Sequence, residues 1–454
     1  MMRIIWSLYR GSKAAVWDGN IISDWFLTQS GVKQGCVLSL LLFTLFLDDL
    51  VNFLNGGIMI DGMQIKVLMY ADDVVLFAES PRALQLMINR LNDYCNTWNL
   101  EVNIAKTKII ILKKFARRLA CDEKWYINGK LLEVVKTYKY LGVWITYNAT
   151  FETHINKRLK ESKLAINSTW RRALGNDTVA LSVKYKVFQA TVNSIMNYAS
   201  HVWGFEKYNE VEKLLTYFIK RIFRLPVNTP DYAIYLETGL STLHIGTLKS
   251  HFQYINAVMK HTDSRLTKRL ATYFLGRRSS YFAAWLNLAE EHEENLNLED
   301  MNGWIDWQQR ILLKQDQSDR DRFVYKAKTS YSRQTYRELT YNLGKMNYFN
   351  DKYTVENIRS IFKSRTELIK LNYLPYVSGA LSVCSLCNKQ ETENVKHFLA
   401  ICPILKEIRY KYFGKTTLSQ TELHGILNGM NWLNLCAYLN QAIKYRQQII
   451  DEIF

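Results

Sequence analysis

Two adjacent carboxylates between two apolar runs constrain this chain more than any other feature. Asp72 and Asp73 follow the apolar run at residues 65–69 and precede a second run at residues 74–77. Isolated buried charge is strongly disfavoured, so the pattern predicts a β-hairpin that keeps both acids at a solvent-reachable turn. Such a turn can hold Mg²⁺ near phosphate oxygens, as phosphoryl transfer requires. The alternative for Ala71, Asp72 and Asp73 taken alone is a hairpin with two acidic turn residues and no chemistry.

The charge balance indicates the class of partner. The 454 residues include 59 Lys and Arg against 42 Asp and Glu, a formal net charge of +17. This excess favours a polyanionic partner, nucleic acid before an acidic membrane surface. The longest apolar run, residues 36–47, is too short to cross a bilayer. Because the N-terminus also lacks the pattern of a signal peptide, we expect an intracellular protein that is not secreted and has no membrane partner.

Three of the seven cysteines cluster around one histidine near the C-terminus. Cys384, Cys387, His397 and Cys402 have the spacing C-x2-C-x9-H-x4-C. Thiolates and one imidazole at such spacing fit a closed tetrahedral Zn²⁺ site. The alternative is three buried cysteines and a surface histidine.

The order of predicted elements divides the chain into a mixed α/β part and a helical part. We predict a helix at residues 2–9, strand character at residues 17–27, and an apolar helix that Ser39 caps and that runs to about Leu54. Pro81 opens a helix to about Trp98, followed by strand character at residues 101–112 and a β element at residues 125–144. From Phe151 the chain reads as helical, with basic and aromatic residues interleaved and an acidic surface connector at residues 290–300.

Several short blocks of the sequence, taken in chain order, resemble the motifs of a known family. The resemblance is to the C-terminal part of a reverse transcriptase from a non-LTR (LINE-type) retrotransposon. It covers essentially the whole chain. The matching blocks are residues 31–39 followed by Leu42 and Phe43, residues 70–73, residues 103–108, residues 140–142, and residues 196–199 with Trp203.

The resemblance implies a role for each matched residue. Asp72 would be the main Mg²⁺ ligand, supported by Asp73, with Tyr70 in the same box. Gln34 and Gly35 would shape the pocket for the incoming nucleotide and template, and Lys106 would lie near the triphosphate. For Lys106 taken alone, a solvated surface lysine is the alternative. Tyr140, Leu141 and Gly142 would form the primer grip. Related proteins carry a similar CCHC element, which implies that the zinc element contributes local folding and contact with RNA or DNA.

Two departures from the family pattern affect these expectations. Leu40 replaces a proline, which should weaken helix initiation slightly without removing chemistry. Family polymerases also take a metal-binding aspartate from a strand upstream of the Gln34 loop, and Asp18 and Asp24 do not match that strand. Since Mg²⁺ demands near-ideal oxygen geometry, we expect weak metal binding and little primer extension by the isolated chain. The fingers and the nucleotide sugar gate are expected to be missing too, which would leave palm surface uncovered.

The predicted fold is the α/β palm remainder of a right-hand polymerase, followed by an all-α thumb, a helical connector and a small zinc element. The expected boundaries are residues 1–148 for the palm, 149–265 for the thumb, 266–378 for the connector and 379–454 for the CCHC element with its helical tail. The predicted function is RNA-directed DNA polymerisation with an RNA template, a DNA primer or target, and deoxynucleoside triphosphates. This reading places the chain in an element ribonucleoprotein in the nucleus, the cytoplasm or both.

Two alternatives remain open at this point. The first is a truncated, inactive remnant that still binds nucleic acid through its basic, aromatic helices, since base stacking and phosphate contacts need no catalysis. The second is a structural protein unrelated to polymerases, which requires several motif coincidences.

Overall fold

The computed structural model describes residues 2–28, 31–112, 123–277, 280–297, 301–341, 345–375, 382–387 and 389–453. The chain forms two compact units. The first comprises Met1–Tyr140 and Ile145–Ala149, and the second comprises Leu141–Trp144 and Thr150–Phe454. No described helix combines the length and the apolar character that a bilayer crossing would demand.

Among the described residues, the N-terminal unit combines four helices with small β-sheets. Its helices are α1 (Met2–Tyr9), α2 (Val37–Phe46), α3 (Leu50–Phe53) and α4 (Pro81–Thr97). The strands up to the end of this unit are β1 (Lys13–Ala14), β2 (Trp17–Asp18), β3 (Ile21–Ile22), β4 (Phe26–Leu27), β5 (Ile58–Ile60), β6 (Met63–Ile65), β7 (Val67–Tyr70), β8 (Asp73–Leu76), β9 (Lys108–Ile109), β10 (Trp125–Ile127), β11 (Lys130–Val134), β12 (Thr137–Tyr140) and β13 (Val143–Thr146).

In the described part of the chain, the strands pair in six small sheets. Five are two-stranded and join β1 with β4, β2 with β3, β5 with β6, β7 with β8 and β12 with β13. The sixth has the order β10-β11-β9, in which β11 runs antiparallel to β10 and parallel to β9.

Helix α4 contributes to both hydrophobic clusters of the N-terminal unit. Its Ile88 packs with Ile109 and Trp125 of the three-stranded sheet. Its Tyr94 packs with Leu50 and Leu54 around α3. The helix begins where the sequence predicts, because Ser80 caps it by accepting a hydrogen bond from the Ala83 amide and Pro81 occupies its first turn.

Two predicted elements of this unit differ in the structure. Ser39 does not cap α2. The helix begins at Val37, and the Ser39 hydroxyl lies inside it and donates to the Lys33 carbonyl oxygen. The helix also stops at Phe46 and resumes as the short α3, rather than running unbroken to Leu54. Of the strand predicted at residues 101–112, only β9 forms, since residues 103–107 make turn hydrogen bonds instead.

A broad apolar surface of the N-terminal unit is exposed. On α2, Leu40, Leu41 and Leu45 are each more than half exposed, and Trp17 and Ile21 on the first strands are about three-quarters exposed. Several exposed large apolar side chains on one helix, as on α2, are typical of a surface that packs against another segment or chain.

The second unit is built almost entirely from helices. They are α5 (Glu152–Thr169), α6 (Leu181–Val187), α7 (Ser194–Met196), α8 (Ser200–Trp203), α9 (Asn209–Ile222), α10 (Asp231–Thr238), α11 (Leu243–Met259), α12 (Leu266–Gly276), α13 (Ser280–Glu291), α14 (Met301–Lys328), α15 (Gln334–Arg337), α16 (Val355–Arg365), α17 (Lys406–Phe413), α18 (Gln420–Leu427) and α19 (Trp432–Ile453). Wider π-helical turns at Trp170–Leu174, Phe188–Asn193 and His397–Ile401, and a 3₁₀ turn at Pro403–Leu405, extend or join them.

Two hydrophobic clusters organise the second unit. The larger one runs from Ile155 on α5 to Ala442 on α19 and includes Cys384, Cys387 and Cys402. The smaller one surrounds Trp285, Trp304 and Trp307. The predicted acidic connector begins at the end of α13, and its residues 298–300 lie outside the described part of the chain.

Candidate functional site

The two carboxylates lie at the turn of the β7–β8 hairpin, as predicted. Tyr70 and Asp73 form the last pair of the ladder, and Ala71 and Asp72 make the turn. Tyr70, Asp72 and Asp73 are exposed, so the acids do not carry the cost of burial. Ala71 has a φ of +51°, a left-handed conformation that non-glycine residues adopt rarely and mostly at tight or functional turns.

Tyr140 lies within electrostatic range of this hairpin. Burial, and secondly the negative charge of Asp73, raise the pKa of the Tyr140 phenol above its usual value. The neighbouring Tyr138 hydroxyl donates a 3.1 Å hydrogen bond to the Lys106 carbonyl oxygen. The N-terminal unit therefore brings together three predicted site positions: the acidic hairpin, the Lys106 turn and the end of β12.

The Gln34 and Gly35 loop has other described contacts. Lys33 Nζ donates to the Leu8 carbonyl oxygen of α1, and the Ser39 hydroxyl closes the loop onto α2. Gly35 has a φ of +80°, which a glycine adopts at little cost. Gln34 and Gly35 are exposed, and the described contacts attach their loop to α1 and α2 rather than to the acidic hairpin.

The turn between β12 and β13 contains Leu141 and Gly142, two further predicted site residues. Both are left-handed, with φ values of +44° and +79°. The Tyr198 hydroxyl donates to the Leu141 carbonyl oxygen at 2.8 Å, and Arg158 Nη2 donates to the Gly142 carbonyl oxygen at 2.6 Å. In the sequence, Tyr198 belongs to one of the blocks that resemble the family, and Arg158 lies on a predicted basic helix. No local spacing links either residue to residues 141–142.

The four CCHC residues converge in the second unit. One potential ligand atom from each of Cys384, Cys387, His397 and Cys402 lies within 4.8 Å of the other three, and all four residues are buried. Cys387 Sγ and His397 Nε2 are 3.5 Å apart. Because His397 is only 2% exposed, the alternative of a surface histidine beside three cysteines is wrong.

Neighbouring groups orient these four side chains. His397 Nδ1 lies 2.8 Å from a carboxylate oxygen of Glu391, which directs Nε2 toward the thiols. The buried guanidinium of Arg409 donates to the carbonyl oxygens of Leu399 and Cys402 at 2.7 and 2.9 Å. The sequence alone does not identify Glu391, because a glutamate six residues before a histidine is not a spacing that indicates contact between the two.

The electrostatics of the cluster favour a cation. A hydrogen bond with Cys402, followed by burial, raises the pKa of the Cys384 thiol to about 12, whereas the same bond lowers the pKa of Cys402. Several thiolates so close together repel one another unless a positive ion lies between them. Three soft sulfur donors and one imidazole nitrogen are the donor set that zinc takes in closed structural sites.

Comparison with known proteins agrees with the blocks identified in the sequence. Residues 1–145 match the family model described as reverse transcriptase (RNA-dependent DNA polymerase). The "RNA-directed DNA polymerase from mobile element jockey" of Drosophila funebris is 26% identical over 221 residues, which cover 47% of this chain and 24% of the relative. The jockey protein of Drosophila melanogaster is 24% identical over 54% of this chain and 27% of its own length.

A second group of relatives comes from the R2 elements. The "Retrovirus-related Pol polyprotein from type-1 retrotransposable element R2" of Nasonia vitripennis is 32% identical over 162 residues, which cover 34% of this chain and 16% of the relative. This chain thus spans about a quarter or less of the length of the curated relatives described here. Residues 1–145 carry the match to the reverse transcriptase family, and the chain is similar over about half of its length to the RNA-directed DNA polymerases of the jockey elements.

Proposed function

We propose that this chain supplies the acidic hairpin of the palm, together with a helical thumb, to an RNA-directed DNA polymerase that extends a primer 3′ end. The observation that carries the proposal is the exposed pair Asp72 and Asp73 on a rigid hairpin, with Tyr140 in the electrostatic range of Asp73. The proposed template is RNA, the proposed primer is DNA, and deoxynucleoside triphosphates are the proposed substrates.

Each predicted residue has a part in this proposal. Asp72 and Asp73 would offer carboxylate oxygens to Mg²⁺, which would neutralise charge on the reacting phosphates. Two carboxylates provide fewer oxygens than an octahedral Mg²⁺ ion takes, so phosphate, water or a further carboxylate must complete the shell. Gln34, Gly35 and Lys106 are proposed to contact the nucleotide and template, and Tyr140, Leu141 and Gly142 the primer end.

The domain assignment is part of the same proposal. We assign residues 1–148 to the palm, 149–265 to the thumb, 266–378 to the connector and 379–454 to the zinc element with its helical tail. The net charge of +17 supports binding to a polyanion.

Primer extension on an RNA template tests the catalytic proposal. The full chain is compared with Asp72→Asn and with Asp61→Asn, which removes a carboxylate from the turn between β5 and β6 in the same unit. Asn tolerates the left-handed conformation of residue 61, so the control should fold normally. Because an upstream metal-binding aspartate is unmatched, we expect only weak Mg²⁺-dependent extension by the full chain. That residual activity should fall to background in Asp72→Asn and stay unchanged in Asp61→Asn.

Two other results of this assay would contradict the catalytic proposal. Equal extension by the wild type and by Asp72→Asn would contradict the role of the hairpin. Tight binding to the primer–template without any extension by the wild type would favour the inactive nucleic-acid-binding remnant.

We propose Zn²⁺ as the ion of the CCHC cluster, with folding of the C-terminal helices as its role. The proposal rests on the burial of the three thiols inside the large hydrophobic cluster, beside Phe398 and Leu405. Elemental analysis should find about one zinc per chain, and Cys402→Ser should lower both the zinc content and the melting temperature. Cys436→Ser, at a buried cysteine that is not one of the four CCHC residues, is the control for the zinc content. Full metal content in Cys402→Ser would contradict the site.

A further inference from the structure

Side chains of the second unit hold the short segment Leu141–Trp144 from several directions. Tyr198 and Arg158 bond the carbonyl oxygens of Leu141 and Gly142, respectively. The Arg158 guanidinium also stacks on the Tyr198 ring, with its central carbon 4.4 Å from the ring centroid. Two neighbouring carbonyl groups are therefore fixed by two side chains that also contact each other.

Arg158 and Tyr198 are themselves held in place. Glu161 forms a 2.9 Å ion pair with Arg158 one turn along α5. The Tyr198 carbonyl oxygen lies 3.3 Å from His154 Nε2 and accepts a 3.1 Å bond from the Trp203 indole. His154 Nδ1 in turn accepts a 3.3 Å bond from the Trp144 amide. His154 thus connects the segment and Tyr198 through its two ring nitrogens.

The backbone of the turn requires such support. Leu141 is a non-glycine residue in the left-handed region, which is unfavourable without compensating contacts. At Gly142 an added Cβ would lie 2.6 Å from Tyr198 Cε1, so the ring packs directly against the backbone. A conformation that is unfavourable by itself persists because neighbouring groups determine it.

We propose that Tyr198 and Arg158 are positioning residues that hold the turn at Leu141 and Gly142 in the shape that receives a primer 3′ end. The inference rests on the proposed function, in which this turn belongs to the primer grip. Leu141 and Gly142 are two of the three residues assigned to the primer grip, so their backbone conformation shapes the surface that a primer end would meet.

The test uses conservative changes in the full chain. Tyr198→Phe keeps the ring and removes only the hydroxyl that bonds Leu141. Arg158→Lys keeps the charge but loses the planar group that stacks and bonds at once. Tyr331→Phe is the matched control, because Tyr331 is 89% exposed.

The first readout is amide hydrogen exchange of a peptide that covers residues 141–146, in the free chain. Loss of one hydrogen bond of this kind should speed exchange about five- to tenfold in Tyr198→Phe and in Arg158→Lys. Tyr331→Phe should leave it unchanged. Unchanged exchange in both Tyr198→Phe and Arg158→Lys would overturn the proposal.

The second readout is the environment of the primer end. A DNA primer with 2-aminopurine as its 3′ nucleotide is annealed to an RNA template that carries a dye at its 5′ end. Dye anisotropy gives the Kd, and 2-aminopurine fluorescence reports the contact at the primer end. We expect the Tyr198→Phe Kd to stay within about twofold of the wild type while the fluorescence response falls by half or more.

This second readout separates positioning from general stability. A purely structural role would weaken both signals together, and a wild-type fluorescence response in Tyr198→Phe would overturn the positioning role. If the wild type binds the duplex without any 2-aminopurine response, the primer-grip part of the proposed function fails. The exchange result would then still decide whether Tyr198 and Arg158 hold the turn.

Discussion

At the scale of single residues, the contact between Gly142 and Tyr198 explains why a glycine is needed in the turn between β12 and β13. Gly142 combines a φ of +79° with direct packing against the Tyr198 ring. Many glycines meet only the first of these requirements. Gly414, at the end of α17, has a φ of +70° and no atom within 4 Å of an added Cβ. A comparison of these two positions, which lie in the same unit, therefore separates the effect of backbone strain from the effect of steric contact.

We predict that Gly142→Ala destabilises the second unit by about 1–2 kcal/mol more than Gly414→Ala. Both changes introduce the same left-handed alanine, but only the first displaces Tyr198 from its bond to Leu141. Urea unfolding of the two variants measures the difference. Adding Tyr198→Ala to Gly142→Ala should recover part of the stability that is lost through contact with the ring. Equal losses of stability at the two glycines would contradict the steric explanation.

A second single residue with a specific effect is Glu391, whose carboxylate determines the orientation of the His397 imidazole. It orients His397 through Nδ1, as acidic groups commonly orient metal-binding imidazoles. We predict that Glu391→Gln weakens zinc binding about 10- to 100-fold, measured by competition with a chromophoric chelator. Glu407→Gln, at a side chain that is 80% exposed, should leave the affinity unchanged. An unaltered affinity in Glu391→Gln would show that packing alone orients the imidazole.

At the scale of elements, local chemistry decides where helices begin. Ser80 and Pro81 start α4 at the predicted residue. At α2 the same reasoning fails, because Ser39 has a partner in the preceding loop that the helix-start pattern does not consider. An N-cap residue is therefore recognised reliably only when its side chain has no better partner.

The cap of α4 leads to a prediction at this scale. Ser80→Ala removes the acceptor for the Ala83 amide, which costs about 1 kcal/mol at a helix start. Exchange of the amides in the first turn should become about fivefold faster. Ser80→Asp keeps an acceptor and should exchange at the wild-type rate or more slowly. Equal acceleration in both variants would contradict the capping role.

At the scale of the whole molecule, a buried ion pair joins distant parts of the second unit. Glu237 on α10 and Arg365 on α16 are 2.8 Å apart and fully buried. The hydroxyls of Tyr336 and Tyr348 also donate to Glu237. Burial, with the charge of Glu237, raises the pKa of both phenols, so they remain neutral donors.

We predict that Glu237→Ala lowers the free energy of unfolding of the second unit by about 3–5 kcal/mol, because Arg365 would keep a buried charge without its partner. Chemical denaturation measures the change. Glu407→Ala, at the exposed end of α17, should shift stability by less than about 0.5 kcal/mol. A loss below about 1 kcal/mol in Glu237→Ala would indicate that water reaches Arg365.

Features that depend on neighbours along the chain could be predicted from the sequence. These are the acidic hairpin, the start of α4 and the four CCHC residues, because turn preference, capping and ligand spacing act over a few residues. The distant side chains that contact these and other features become known only from the folded chain. Tyr198 lies 57 residues from Leu141, and Arg365 lies 128 residues from Glu237. Such contacts form when separate helices pack against each other. A single sequence carries no local signal that identifies which distant side chain will contact a given residue.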